Sequence, residues 1–538
     1  MVSLLDLPLE VWENVVSSIS IRDLLSLCCV NRITNRMLTS DDIWKPLVAT
    51  RWFVTEDVDW TSFHGIVNYM QYYKRRHLLD TRVEKIIQSE SFTLEQGWRL
   101  IAIGGELVPL MLRMRKNSDN LYTRYVATSI LEAIRRIQAI KSMVELLERP
   151  IGEVVHESLY DRLSLLDRAY DRIAPYRTAM IKNIVGRVRR DPRLIDCVSS
   201  TEVVLLIIEA ICKELHSVVD ERTYLQESLD NISIQRHYAG EVGASGMIKY
   251  AIIGGLADKF NIKCDLCNTF LIVKDPYFEG GKSYISLKSG TFQPSVYSVR
   301  EIYPAVLRSN PREPQRALQS LIRPWTAKMA IEALIEFQQT DSIVREATMR
   351  ERIVDYEAIY PRSKIHVMTG TCDYYANCFH EYYKSRVDTI LLVEMARRFP
   401  FDALFFEEFF KDHSEVDFKQ IALESYLQPN FDGEFVNICP GTPFKLGQVV
   451  KHVSGVISVI VGAYTLITEG SQTTRIFYRL LNGLDVSGAR IELLQQIPHS
   501  KLQALMNFYD IGIYFTHFDE ERSLFVPHER LKVAYDWL

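Results

Sequence analysis

Cys264 and Cys267 form a single C-x-x-C, and His366, Cys372, Cys378 and His380 follow far downstream. A structural zinc site usually takes two such pairs at matched spacing. These six residues do not supply that spacing. A thioredoxin-like redox pair should open a helix after a strand, whereas this one precedes the apolar, strand-like run "CNTFLIVKD". Ordinary buried cysteines are therefore expected, with no metal and no cofactor. Gly104-Gly105 and Gly254-Gly255 lack the surrounding spacing of a phosphate loop. Arg187, Arg189, Arg190 and Arg193 are either a phosphate contact or a solvated helix end, and the second is expected. The aromatic runs "YYANCFHEYY" and "FPFDALFFEEFF" have mixed spacing, which favours core packing over a stacking groove. Any part left exposed becomes a recognition patch.

Elements must hold these residues, and the chain of 538 residues is long enough for several domains. Hydrophobic residues make up 47% and charged residues 24%, a globular balance. The net charge of −5 carries no polyanion-binding signature over the whole chain. Nine scattered cysteines point to a reducing compartment. Asp6, Glu10 and Glu13 interrupt any signal-peptide core, and the apolar run from Val203 to Ile208 stops at Glu209, too short to cross a bilayer. A soluble chain in the cytoplasm or nucleus, with no membrane span, is expected.

The fold class read from patterning is multidomain α+β. Residues 4–48 give short apolar stripes: Val11, Val15 and Ile19, then Leu24, Leu25 and Leu27 behind a Ser20–Asp23 capping box, then Val30, Ile33 and Met37. Asp41 and Asp42 open a last turn with Ile43, Trp44 and Leu47. Residues 51–200 read as helix. Residues 201–435 mix helices with strands such as "SYISLKSGTFQP", and residues 443–538 are mainly short strands of a small barrel.

The opening block resembles an F-box. Leu7-Pro8, Glu10, Asp23-Leu24-Leu25, Val30 to Arg32 and Ile43-Trp44 follow the family's ordered pattern. One departure stands out: Asn31-Arg32-Ile33-Thr34 replaces the family's frequent Cys-Arg-x-Trp. The final block resembles the YccV-like β-barrel family through "FKLGQVVKH", "VIVG", "FYRLL" and "YFTHFD…FVPHERL". Together they resemble the F-box only protein 21 architecture, in which a transglutaminase-like domain of the SirB1 type lies between. Laid on that domain, "VGASGMIKYAIIGGLADKFNIKCDLCNTFLIVKD" brings Ser245 to Met247 to the helix start that carries a cysteine in the family. The family's histidine falls at Thr269 and its aspartate at Ser286. The resemblance thus implies a degenerate, non-catalytic core, since acyl transfer needs a nucleophile, a base and an orienting acid.

The function so implied is a substrate receptor of an SCF-type ubiquitin ligase. It binds Skp1 through residues 1–50, reaches a cullin through Skp1, and presents a protein client on the remaining domains. Leu7, Pro8, Val11, Ile19, Leu24, Leu25, Val30 and Trp44 are the candidate Skp1-binding residues. The rival classes are a Skp1-binding regulator outside a ligase, a middle-domain enzyme, and a nucleic-acid adaptor using Lys445, Lys451, His452, Arg475, Arg479 and Arg490. Residues 443–538 hold nine basic and nine acidic side chains, so nucleic acid is not the expected partner.

Overall fold

The computed structural model describes Val15, Ile19 and residues 21–53, 63–89, 91–148, 174–214, 238, 246–267, 270–288, 293–325, 329, 378, 381–382, 387, 389–427, 444–467, 474–481, 485–494, 496–508 and 511–529. The chain divides into two compact units. One takes Met1–Ile134, Phe399–Phe406 and Phe418–Leu538; the other takes Arg135–Arg398 and Glu407–Asp417.

Among the described residues of the first unit, three short helices lie between Ile21 and Trp52. Helix α1 (Ile21–Cys28) buries Leu24 and Cys28, one turn apart. Ser20, expected to cap it, lies outside the described residues. Helix α2 (Arg32–Leu38) is capped by Asn31, whose side-chain oxygen accepts the N–H groups of Ile33 and Thr34 at 2.8 and 2.9 Å. Thr34 returns the bond, its hydroxyl accepting the Asn31 N–H at 3.2 Å, which completes a capping box. Helix α3 (Asp41–Trp52) starts at Ser40 with Asp41 and Asp42 in its first turn, where negative charge complements the helix dipole.

These helices do not close a core alone. Leu24, Leu38, Ile43, Trp44, Val48 and Trp52 share one cluster with Phe63, Tyr69 and Tyr73. The last two begin helix α4 (Tyr69–Ile87). Tyr73 meets Trp44 and Trp52 edge-on, with ring centroids 5.2 and 4.8 Å apart. Helices α5 (Leu94–Ile103), α6 (Val108–Asn117) and α7 (Leu121–Glu148) extend the helical stem.

In the second unit, α8 (Ala174–Arg190), the short α9 (Arg193–Asp196), α10 (Ser200–Glu214) and α11 (Gly246–Asp258) precede a four-stranded antiparallel meander. Its strands are β1 (Cys264–Leu266), β2 (Leu271–Lys274), β3 (Lys282–Leu287) and β4 (Pro294–Tyr297). Both faces are covered, and the period-two alternation shows it. Leu271, Val273 and Ile285 pack with Val204, Ile207, Ile248 and Ile252 of α10 and α11. Ile272 and Tyr284 pack with Ile302 and Val306, which belong to α12 (Val299–Ser309), ahead of α13 (Pro314–Leu321).

The first unit resumes with α14 (Phe418–Leu427) and the C-terminal strands. Strands β5 (Val449–His452), β6 (Ile457–Ile467), β7 (Thr474–Leu480), β8 (Asp485–Ser487) and β9 (Ile491–Leu493) pair in the order β8-β7-β6-β5-β9. Helices α15 (His499–Met506) and α16 (Ile511–Tyr514) then lead into the ribbon β10 (Phe515–Asp519) and β11 (Leu524–Pro527). The sequence pattern predicts a closed barrel; among the described residues the sheet is open. Its edge strands β8 and β9 are three residues long and offer too little ladder for closure. The ribbon is tied on at Gly447, whose carbonyl accepts the Phe525 N–H at 2.9 Å. Gly447 has φ +80°, and a Cβ there would collide with the Phe525 carbonyl oxygen, so this junction requires glycine. Among the described residues no helix is long and apolar enough to cross a membrane.

Candidate functional site

Among the described residues, helices α1 to α3 leave two large apolar side chains open. Val30 is 65% exposed and Ile33 63%. Leu25, Leu27 and Met37 are half-buried nearby in sequence. Of the stripe predicted along Val30, Ile33 and Met37, the first two face outward, while Met37 packs against the core cluster. The capped helix α2 turns Thr34 and Leu38 inward instead, and the Asn31–Thr34 departure from the family pattern is the box that fixes this rotation.

The eight residues singled out from sequence fall into three groups. Leu7, Pro8 and Val11 lie outside the described residues. Leu24 and Trp44 are 0% exposed. They build the core, and the Trp44 indole N–H donates to the Leu38 carbonyl at 2.7 Å, closing α3 on α2. Val30 is open, while Leu25 and Ile19 are half-buried against the core cluster. Ile33 was not singled out as a contact residue. Its signal is its place in α2 opposite the inward pair Thr34 and Leu38, on a short helix that turns one face to the core.

The stem beneath is held by charge. Asp80 is fully buried on α4 and accepts the Trp52 indole N–H at 3.1 Å and an Arg113 N–H at 3.2 Å. Arg51 lies 3.6 Å from the same oxygen, and its guanidinium covers the Trp52 ring at 4.9 Å. Arg51 also donates to Nδ1 of His77 at 3.2 Å, which requires that nitrogen to be unprotonated. Burial, and then the Arg51 charge, hold His77 below its ordinary pKa of 6.5. Beside Val30, the Cys28 thiol is pushed up by burial and by Cys29, against the opposing pull of Lys74.

The middle of the chain separates its cysteines. Cys264 packs on the α11 side of the sheet and Cys267 on the α12 side, so the C-x-x-C presents its thiols to opposite faces. Burial, then Asp258 and Asp265, push Cys264 up to about 12, which leaves it a poor thiolate. Cys378 is buried; His366, Cys372 and His380 lie outside the described residues. Among the described residues, no three of His, Cys, Asp and Glu converge to hold a metal. Ser245 and Thr269 also lie outside them. Ser286 is half-buried beside Tyr250, whose phenol oxygen accepts the Leu287 N–H at 3.1 Å.

The arginine cluster is largely spent on its own unit. Arg187 donates to Glu214 at 2.7 Å, Arg193 bonds Asp191 and Glu209 at 2.7 and 2.8 Å, and Arg189 lies over Phe260. Arg193 draws the Asp191 carboxyl down to about 2. In the C-terminal sheet, Lys451 sits 3.7 Å from Glu492, and His452 Nδ1 lies 2.7 Å from the Ser454 hydroxyl. The side chain of Arg475 is outside the description, and Arg479 and Arg490 sit on β7 and just before β9.

Three comparisons bear on identity. Over 344 residues the chain is 21% identical to a Saccharomyces cerevisiae protein, "Mitochondrial distribution and morphology protein 30". The match covers 55% of this chain and spans 55% of that relative's length. No solved structure matches. Residues 4–46 match the family described as "F-box domain". The described short helices, with Val30 and Ile33 turned outward, fit that match, and residues 4–46 of this chain are an F-box domain.

Proposed function

We propose that this chain is the substrate receptor of an SCF-type ubiquitin ligase, docking on Skp1 through its F-box and through Skp1 on a cullin. The observation that carries this is the exposed pair Val30 and Ile33 beside the buried Leu24, Leu38 and Trp44. Two large apolar side chains open to water at the end of a capped helix are stabilised when a partner covers them, by roughly 1.5–3 kcal/mol each. The remaining domains present the client. Their proposed extents are 51–200 for the helical region, 201–435 for a degenerate transglutaminase-like core with its helical extension, and 443–538 for a YccV-like sheet domain. The middle domain acts by binding rather than by catalysis. Supporting this, Ser286 stands where the family's acid would, and Cys264 is held as a thiol. We place the protein in the cytoplasm or nucleus.

The test is affinity purification of the wild type beside Val30→Asp/Ile33→Asp. The wild type is expected to recover Skp1 and cullin, and the double variant to lose both. Equal Skp1 recovery by the two would overturn the assignment. Skp1 without cullin would favour a regulator acting outside a ligase. Salt-dependent DNA binding would instead favour the nucleic-acid adaptor.

A further inference from the structure

Helix α4 turns a second unusual face to solvent. Gln71, Lys74, Arg75, Leu78, Arg82 and Lys85 are all exposed. At 3.6 residues per turn they fall within an arc of about 100°, and Lys74 to Lys85 spans about 16 Å. Leu78 lies near the middle of that arc and is 70% exposed. No acidic residue shares it. The two acids of α4 point elsewhere: Asp80 is buried, and Glu84 takes the Arg113 guanidinium at 2.8 Å. Glu106, from outside the helix, is bonded to the buried Arg76 at 2.9 Å and makes a longer, exposed ion pair with Arg75 at 3.8 Å.

A helix face that merely meets water usually alternates its charges, because i,i+4 pairs of opposite sign stabilise it. Here four cations of one sign stand together on a chain whose net charge is −5. An open leucine at their centre has no role in gripping phosphates, but it suits a ligand with an apolar side chain between acids. The far side of α4 is fixed by Tyr73 and Asp80, so the face is preorganised.

We propose that this face of α4 is a docking site for an acidic protein segment carrying an apolar side chain, supplied by the client. The carboxylates lie along Lys74, Arg75, Arg82 and Lys85, and the apolar side chain covers Leu78. This rests on the receptor function proposed above and assigns the client's recognition chemistry.

The test uses the full chain with Skp1. Its probe is a fluorescein-labelled peptide of glutamates around one leucine, compared with the same peptide carrying serine there. The leucine peptide is expected to bind more weakly as salt rises. Leu78→Ser should weaken it about tenfold, and Lys74→Glu/Arg82→Glu/Lys85→Glu should abolish it, with a cooperative thermal melt of every variant as proof of folding. The proposal is overturned if the wild type does not bind the peptide, or if the variants bind it equally. Equal binding of the serine peptide or duplex DNA, indifferent to Leu78, would also overturn it by showing a plain polyanion surface. Failure of the wild type to hold Skp1 would sink the receptor assignment alone and leave the peptide result readable.

Discussion

At the scale of single residues, the departure from the family pattern carries the most information. Asn31 and Thr34 replace family residues and form a reciprocal cap. Asn31→Ala should cost about 1 kcal/mol, read as a lower urea midpoint, while Asn31→Asp should retain most of the stability. His77 makes a second prediction. Its folded pKa is depressed, so the unfolded chain binds the proton more readily. Its contribution is full above 6.5 and is lost as pH falls from there toward the folded value. The charged groups that face it are Arg51, Asp80, Glu84 and Arg113. His77→Gln should therefore flatten the pH dependence of the melting temperature between pH 7 and about 5. An unchanged slope would count against this account.

At the scale of elements, period and caps made most helices legible. The alternation of Leu271, Ile272 and Val273 likewise marks a strand buried on both faces. What sequence did not disclose was which of two apolar stripes turns inward. Trp44 looks like a contact residue by pattern, yet it is fully buried, because Tyr73 arrives from a helix beyond any local window. Trp44→Ala should cost about 3–5 kcal/mol and reduce Skp1 binding only by unfolding the domain. Among the described residues the C-terminal sheet is open for a similar reason, since closure depends on edge-strand length and pairing rather than on alternation. Gly97 on α5 shows another non-local constraint. A Cβ there would lie 2.8 Å from the Phe401 ring, and the Trp98 indole N–H donates to the Pro400 carbonyl at 2.8 Å. Gly97→Ala should destabilise by about 1–3 kcal/mol despite its better helix propensity, which a thermal melt would reveal.

At the scale of the molecule, the first unit joins the two ends of the sequence. Leu121, at the start of α7, belongs to the same buried cluster as Val449, Ile511 and Phe525. The Tyr122 hydroxyl lies 2.8 Å from that of Tyr426. Removing residues 444–538 should therefore expose the start of α7 and make it protease-sensitive. A truncated chain that resists cleavage there as well as the intact one would show the C-terminal sheet to be dispensable.

That shared cluster also sets a schedule for biogenesis. A ribosome releases the start of α7 first, but Phe525, which shelters it, emerges about four hundred residues later. At about 5–20 residues per second, the stem waits roughly 20–80 s for its companion. Throughout that interval Leu121 and its neighbours are open to chaperones. A message cut short before the last strands yields a product whose nascent stem never acquires its cover.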